Sequence, residues 1–534
     1  MEKAKYRVYT QNQWVFPDDK IDLFVEDQPV NVHIARGGNV AVQFLTDINV
    51  KKGDKVTSKI CDANGIHVQF YQMVPVTIPL NSAPDGKPNT TTNPDEVEDF
   101  VTRKAPFDVY DALAPMVDTI SYDSRLAFTV RMTACSKMAP GAQMIDVTIE
   151  TGNSVFKIQF NVIVHKAVIP HMSQSKLSVV NWVVPGAICA QCNDEIYSDA
   201  YWKMYRKLLT HLVDIRNNHL SIAQTWRHEP DEAVRDENGK IIDFDLSYLE
   251  KALKIAEKAG MTKLYGSYVA HWVNWNEEQI YLLWDWDKKC DVSSCEAYRQ
   301  LKIYFTRVRE MVERNGWHDK YIQPLVDEPQ FQNAAEYRIL CGVVRSLYPE
   351  LVIHDPVEVY NIAGAADIIS VKQAIYEKYL DEFKELQASG QRMTYYACGA
   401  PAGRTMNRVL DLPVFVGRLS FWMCHRYNFE GYLHWGYHNE GGFDNTNFIK
   451  IMSPGNHSIV YCVDGEYWET IRSMAQLSGA EDWELLSIIS EKEPETAHRL
   501  VEKGCRTFDD YEMDPDKFEK IYLEILETAD RLTD

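Results

Sequence analysis

Up to about residue 170, apolar and polar positions alternate in short runs. Val40-Ala41-Val42-Gln43-Phe44 and His67-Val68-Gln69-Phe70-Tyr71 approximate a period of two. That spacing sets every second side chain on one face of a pleated strand and predicts half-buried β-structure. Runs at 126–132, 143–150 and 155–164 continue the theme. Pro140-Gly141 and Thr151-Gly152-Asn153 are turn signals, so the last two runs are expected to form a hairpin. Residues 82–99, rich in Pro, Asn, Thr and Asp and without periodicity, read as a surface loop. The segment 1–171 is therefore expected to be a β-sandwich.

Beyond about residue 172 the pattern changes. Short apolar runs at 177–184, 219–223, 263–269, 321–326, 351–354, 367–371, 393–398 and 431–437 alternate with long helical patterns. Eight such repeats predict a (β/α)8 barrel over 172–490. Ser247-Tyr248-Leu249-Glu250 has the spacing of a capping box, Leu249, Ala252, Leu253 and Ala256 mark one helix face, and Gly260 supplies the stop. The next helix carries Leu301, Tyr304, Val308, Met311 and Val312 on one side and ends at Asn315-Gly316. Residues 466–489 predict the closing helix. Asp514-Pro515 opens another, within a C-terminal helical extension at 491–534 that is expected to pack on the barrel.

Composition narrows the function classes. The formal net charge of −21 argues against a general phosphate-backbone binder, which needs a basic face, so no nucleic-acid partner is expected. No run approaches the ~18–20 apolar residues of a membrane span. The basic start Met1–Tyr6 leads into Gln, Asn and Asp without an apolar core, so no signal peptide is read and the expected location is cytoplasmic. The 11 cysteines are odd in number and scattered, as befits free thiols in a reducing compartment. Cys189 and Cys192 form a CxxC with no second pair at metal-ligand spacing, since Cys290 and Cys295 are CxxxxC, so neither a metal nor another cofactor is expected. The sequence leaves the oligomeric state open.

Barrel enzymes build their sites at the C-terminal ends of the strands. The predicted ends carry His271 and Trp272, Asp327 and Glu328, His354 and Asp355, Lys372 and Gln373, Tyr395 and Tyr396, then His434, Trp435 and Tyr437. Carboxylates among aromatic rings, with few cations, suit a neutral polyhydroxylated ligand such as a glycan. Two adjacent carboxylates repel, so one tends to keep a proton while the other ionises. Glycoside hydrolysis needs that division of labour. The plain structural reading of Asp327-Glu328-Pro329 is a cap and first turn of the following helix. Consecutive strand residues also face opposite ways, so both carboxyls can serve one pocket only if the strand has ended and the chain is turning, which Pro329 favours.

Asp327-Glu328-Pro329, the segment Glu430-Gly431-Tyr432-Leu433-His434-Trp435-Gly436-Tyr437, and the later Asp464-Gly465, Ile471-Arg472 and Gly479-Ala480-Glu481-Asp482-Trp483 together resemble glycoside hydrolase family 123. Phe107-Asp108-Val109-Tyr110-Asp111 and Ala139-Pro140-Gly141 are similar to pieces of its N-terminal sandwich. The resemblance implies a retaining, exo-acting β-N-acetylgalactosaminidase using substrate assistance, in which the sugar's 2-acetamido oxygen attacks the anomeric carbon. Asp327 would then orient the acetamido N–H, and Glu328 would protonate the leaving group and later deprotonate water. Trp435 would stack on the sugar ring, and Tyr395 or Tyr396 would reach the acetamido carbonyl. His354, Tyr437 and Trp272 are further candidate substrate contacts. Two alternatives stay open at this point: Glu328 paired with a remote carboxylate such as Asp355, Glu430 or Asp444, and a non-catalytic carbohydrate-binding barrel.

Overall fold

The computed structural model describes residues 5–21, 29–51, 53–61, 63–83, 91–92, 100–115, 124–151, 154–222, 232–439 and 453–533. The chain forms two compact units: one of 1–175, 399–427 and 441–534, the other of 176–398 and 428–440. The segments 399–427 and 441–534, read from sequence as barrel and extension, thus group with the N-terminal sheets.

In the first unit, a seven-stranded sheet is ordered Tyr6–Thr10, Asn39–Val50, Ser124–Ala134, Ile66–Ile78, Phe107–Pro115, Glu466–Thr470, Tyr461–Val463. A four-stranded sheet is ordered Val30–Arg36, Ser154–Val168, Gly141–Thr151, Val56–Ile60. Their inner faces meet in an apolar core that includes Phe44, Phe128, Ile145, Phe156 and Phe160. The expected hairpin is present, in register from Gly141 opposite Val164 to Thr151 opposite Ser154. The predicted loop at 82–99 holds a short antiparallel pair, Asn81–Ser82 with Thr91–Thr92; its other stretches, 84–90 and 93–99, lie outside the described residues.

The predicted closing helix starts later than expected. Glu466–Thr470 is a strand, hydrogen-bonded to Tyr461–Val463 and to the Phe107–Pro115 edge. Asp464 and Gly465 both have positive φ, the backbone that closes a tight hairpin. The helix then runs Ile471–Lys492, opened by a Thr470/Ser473 capping box. Gly479 lets it approach the helix Val416–Tyr427, because a Cβ there would lie 2.9 Å from the Arg418 Cα. Asp514 caps Pro515–Leu532 by accepting from the Asp516 and Lys517 N–H groups.

The second unit is a closed barrel of eight parallel strands. They are β1 Ser178–Val183, β2 His219–Ile222, β3 Lys263–Tyr265, β4 Tyr321–Gln323, β5 Val352–Val357, β6 Ile368–Lys372, β7 Arg392–Ala397 and β8 Gly431–His434. Each predicted run contains or overlaps one of them. The expected helix faces around the barrel are buried on Ser247–Ala259 and Cys295–Asn315, and Gly260 and Gly316 stop these helices at positive φ. The capping box at Ser247 is absent. Asp245 accepts from the Ser247 N–H instead, and Glu250 turns outward to Lys254, Arg314 and Asn315.

No helix among the described residues is long and apolar enough to cross a membrane.

Candidate active site

The exit of β4 is held by its neighbours before it reaches the two carboxylates. The Leu325 carbonyl accepts from the Val269 and Ala270 N–H groups, and Val326 forms a parallel bridge with Ala270. From the other side, Asp355 Oδ1 accepts from the Leu325 N–H at 2.6 Å and the Val326 N–H at 3.2 Å, while its Oδ2 accepts from the Tyr337 hydroxyl at 2.8 Å. The chain then turns. Glu328 has φ +48°, and its N–H donates to the Pro356 carbonyl at 3.1 Å. Left-handed backbone at a non-glycine residue costs on the order of 1–3 kcal/mol and persists only where the surroundings enforce it. Here Trp272 Nε1–H donates to the Asp327 and Glu328 carbonyls, and Gln330 Nε2 donates to that of Glu328. Asp327 caps nothing, because the next helix begins at Ala334, after the turn closed by the Asn333 side chain on the Gln330 N–H.

The turn sends both carboxyls toward one polar cluster. The Tyr396 hydroxyl donates to Glu328 Oε1. Lys372 pairs with Tyr396 in the β6–β7 register, and Val357 with Val371 in the β5–β6 register. Glu358, one residue past β5, therefore falls beside Lys372, whose Nζ is 2.5 Å from Glu358 Oε1. Burial pushes the Asp327 carboxyl well above the usual range, reinforced by the negative charges of Glu328, Asp355 and Glu358. Glu328 is raised as well, by burial and then by Glu358, with Lys372 and the Tyr396 hydrogen bond opposing. Both keep part of their surface open to solvent. The pair thus resists carrying two negative charges and is reachable from outside.

Of the other predicted site residues, some gather here and some do not. Tyr396 does; its neighbour Tyr395 faces the other way, packed on the Phe429 and Tyr432 rings. Trp272 does, but its N–H is committed to the backbone of the turn, and its ring lies against His271 and Trp275. Trp435 follows β8, partly exposed and stacked on the His434 imidazole. His354 is a correction. Strand β5 continues through Val357, so His354 sits mid-strand, 3% exposed, bonded to the Tyr265 hydroxyl at 2.6 Å and to Thr394 at 3.1 Å. Burial pulls its pKa down to about 3, so it is a neutral interior group. Tyr437 is another correction: fully buried, it meets His211 of the helix Asp199–Asp214 at 2.5 Å.

Three residues at the site escaped the sequence reading. Glu358 is hidden in the sequence because the predicted run stops at residue 354, whereas β5 runs to Val357. Tyr268 is buried, with its hydroxyl proton held more tightly by burial and by the nearby charge of Asp327. Trp182, near the end of β1, packs edge-on against Tyr268, and its buried Nε1–H has no hydrogen-bond partner among the described residues. Both lie inside predicted strand runs, where lumen-facing alternation was the available signal. Of the remote carboxylates, Glu430 precedes β8 at its N-terminal end and is paired with Arg392 at the start of β7, while Asp355 is fully engaged below the turn. Asp444 lies outside the described residues. Among those residues no cluster of His, Cys, Asp and Glu is arranged to hold a metal ion.

The family model described as Glycoside hydrolase 123, catalytic domain, matches residues 182–489. Among solved structures, the chain is similar to a family 123 glycoside hydrolase from Clostridium perfringens, described in terms of glycolipid glycan hydrolysis. Identity is 13%, 99% of each chain is covered, and the TM-score is 0.73, a likeness of fold. A weaker likeness, TM-score 0.34 at 10% identity, links 59% of this chain to 78% of the endo-beta-1,4-mannanase from Thermotoga petrophila. No curated protein sequence matches the chain.

Proposed function

The chain belongs to glycoside hydrolase family 123, whose catalytic-domain match spans more than half its length, and from that premise we propose that it is a retaining β-N-acetylgalactosaminidase working by substrate assistance. The observation that carries the reading is the turn at Asp327-Glu328, which sends two consecutive carboxyls into one cluster with Tyr396, Glu358 and Lys372. In the ordinary two-carboxylate mechanisms the acid and its partner flank the scissile bond, ~5–9.5 Å apart on opposite sides. Neighbours on one turn are poorly placed to flank a sugar in that way. They suit a scheme in which the substrate supplies its own nucleophile.

The electrostatics fit the division of labour. Burial and mutual repulsion favour one shared proton on the pair. An acetamido N–H donating to Asp327 would stabilise its anion. The shared proton then belongs on Glu328, where the leaving oxygen needs it. In the second step Glu328, now ionised, takes the proton of the attacking water. Tyr396 steadies the Glu328 carboxylate between the steps, and Trp182 Nε1–H, unpartnered among the described residues, is a donor for a sugar oxygen. The Trp435 ring offers an apolar face to the pyranose.

The test is Glu328→Gln assayed on a β-N-acetylgalactosaminide, with a thiazoline mimic of the bicyclic intermediate as inhibitor of the native protein. Turnover should fall by ~10²–10⁴-fold with the fold retained, and the mimic should bind tightly. Unchanged turnover in the variant, or equal activity on galactosides lacking the 2-acetamido group, would sink the assignment.

A further inference from the structure

The reading above leaves a charged pair beside Glu328 without a role. Glu358 and Lys372 are 2.5 Å apart, each with only 13% of its side chain exposed. Glu358 follows Pro356, whose carbonyl accepts the Glu328 N–H, by two residues, and Tyr396, the register partner of Lys372, donates to Glu328 Oε1, so the ion pair stands beside that carboxyl. The negative charge of Glu358 disfavours the Glu328 anion, and the cation of Lys372 opposes it. Lys372 faces the same acid: burial disfavours its charge, but Cys398, Glu328 and Glu358 outweigh burial and hold it as the ammonium ion. An ion pair anchored on two adjacent strand ends cannot drift away from the turn that faces it.

We propose that Glu358 and Lys372 act as opposed positioning residues for the acid–base chemistry of Glu328, the negative charge of Glu358 favouring the protonated acid and Lys372 fixing Glu358 in place while limiting its pull. This rests on the reading of Glu328 as the acid. Neither residue touches the reacting atoms; each acts through Glu328. The groups facing Glu328 are Asp327 on its own turn, Glu358 on the β5 side, Lys372 at the end of β6, Tyr396 on β7, and Tyr268 from the β3 exit, with Asp355 near Asp327 and Cys398 beside Lys372 and Tyr396. Glu358 is the carboxylate of this set that is ion-paired to Lys372. Lys372 is the cation among them.

The signs follow. Removing Glu358 deletes a negative charge and leaves Lys372 unpaired, so Glu328 releases its proton more readily. Removing Lys372 leaves Glu358 unopposed, so Glu328 holds its proton harder. The experiment is the pH profile of kcat/KM on methyl N-acetyl-β-galactosaminide, whose poor leaving group makes the rate depend on a protonated acid. Glu358→Gln should move the basic limb down by about one pH unit or more, each unit being ~tenfold in the protonated fraction. Lys372→Met should move it up, and the double variant should return toward the native profile. Limbs that stay in place, or that move the same way in both single variants, overturn the proposal even if plateau rates fall. Should Glu358→Gln fail to fold, the upward shift in Lys372→Met decides alone. Glu328→Gln run alongside separates the two ideas: an inactive Glu328→Gln with unmoved limbs sinks the paired role only, whereas an active one removes the acid reading and this proposal with it.

Discussion

Trp272 donates one indole N–H to two consecutive backbone carbonyls, those of Asp327 at 3.1 Å and Glu328 at 3.0 Å. The shared donor bridges the peptide on which both carboxyls hang and holds it where Glu328 adopts its positive φ. Trp272→Phe keeps an aromatic ring and removes only the donor. Net stability should fall by about 1 kcal/mol, the usual worth of a hydrogen bond. Activity should suffer more, because a displacement of ~1 Å at a reacting group costs ~10²-fold. A fall in kcat/KM of ~10–100-fold with a native circular dichroism spectrum is expected. A native rate would show that Gln330 and Pro356 hold the turn unaided.

Tyr395 and Tyr396 are adjacent and almost equally buried, yet only Tyr396 reaches Glu328. Tyr396→Phe should lower kcat/KM by ~10-fold or more, since bonds to charged groups are worth ~1.5–3 kcal/mol. Tyr395→Phe should leave kinetics alone. The comparison is made in steady-state assays of the two purified variants, and equal effects would mean that strand alternation does not govern their roles.

The barrel was legible because its strands are short buried runs between strongly amphipathic helices, and both patterns follow from one closed apolar core. What escaped was local. Asp355-Pro356 looks like the end of a strand, since proline cannot donate to a ladder, but β5 continues through both to Val357. That shortening made His354 look like a mouth residue and concealed Glu358. Asp245 outcompeted Ser247 as the acceptor at a helix start, two residues earlier than the motif suggested. The Asp464-Gly465 turn was absorbed into a predicted helix although its composition is a hairpin signal. Asp327-Glu328 itself stands out by its chemistry, whereas setting aside the cap needed the position of the next helix, which begins at Ala334.

Asp355 gives a pH signature to the fold. Burial pushes its carboxyl up to about 7, against the pull of Tyr337 and the Leu325 and Val326 N–H groups. An unfolded aspartate titrates near ~3.9. Between that value and about 7 the folded protein holds a proton that the unfolded chain has released. The stability tied to this group is therefore full below pH ~4, declines as pH rises toward 7 and is flat above. Asp355→Asn can still accept from the two N–H groups and has no proton to lose. Melting temperatures from pH 4 to 8 should fall less steeply for the variant than for the native protein. Parallel curves would mean that Asp355 titrates alike in both states.

Arg472 forms a buried ion pair with Asp111, and its surroundings explain why losing it alone should be severe. Its guanidinium donates to Asp111 through Nε and Nη2, the latter at 2.8 Å, and Nη1 donates to the Gly455 carbonyl at 2.7 Å. Tyr461 O–H donates to the same carboxylate at 2.9 Å. Both partners are at most 2% exposed. Bringing two charges out of water costs nearly as much as their attraction returns, so the intact pair adds little net stability. Breaking it is different, because Asp111 would be left buried opposite no cation. Arg472→Met should cost about 3–5 kcal/mol in urea unfolding. The double variant Asp111→Leu/Arg472→Met removes the stranded charge and should recover much of that loss. If the double variant proves no more stable than the single, the penalty lies in the bonds that Nη1 donates to the Gly455 and Arg408 carbonyls and not in the uncompensated carboxylate.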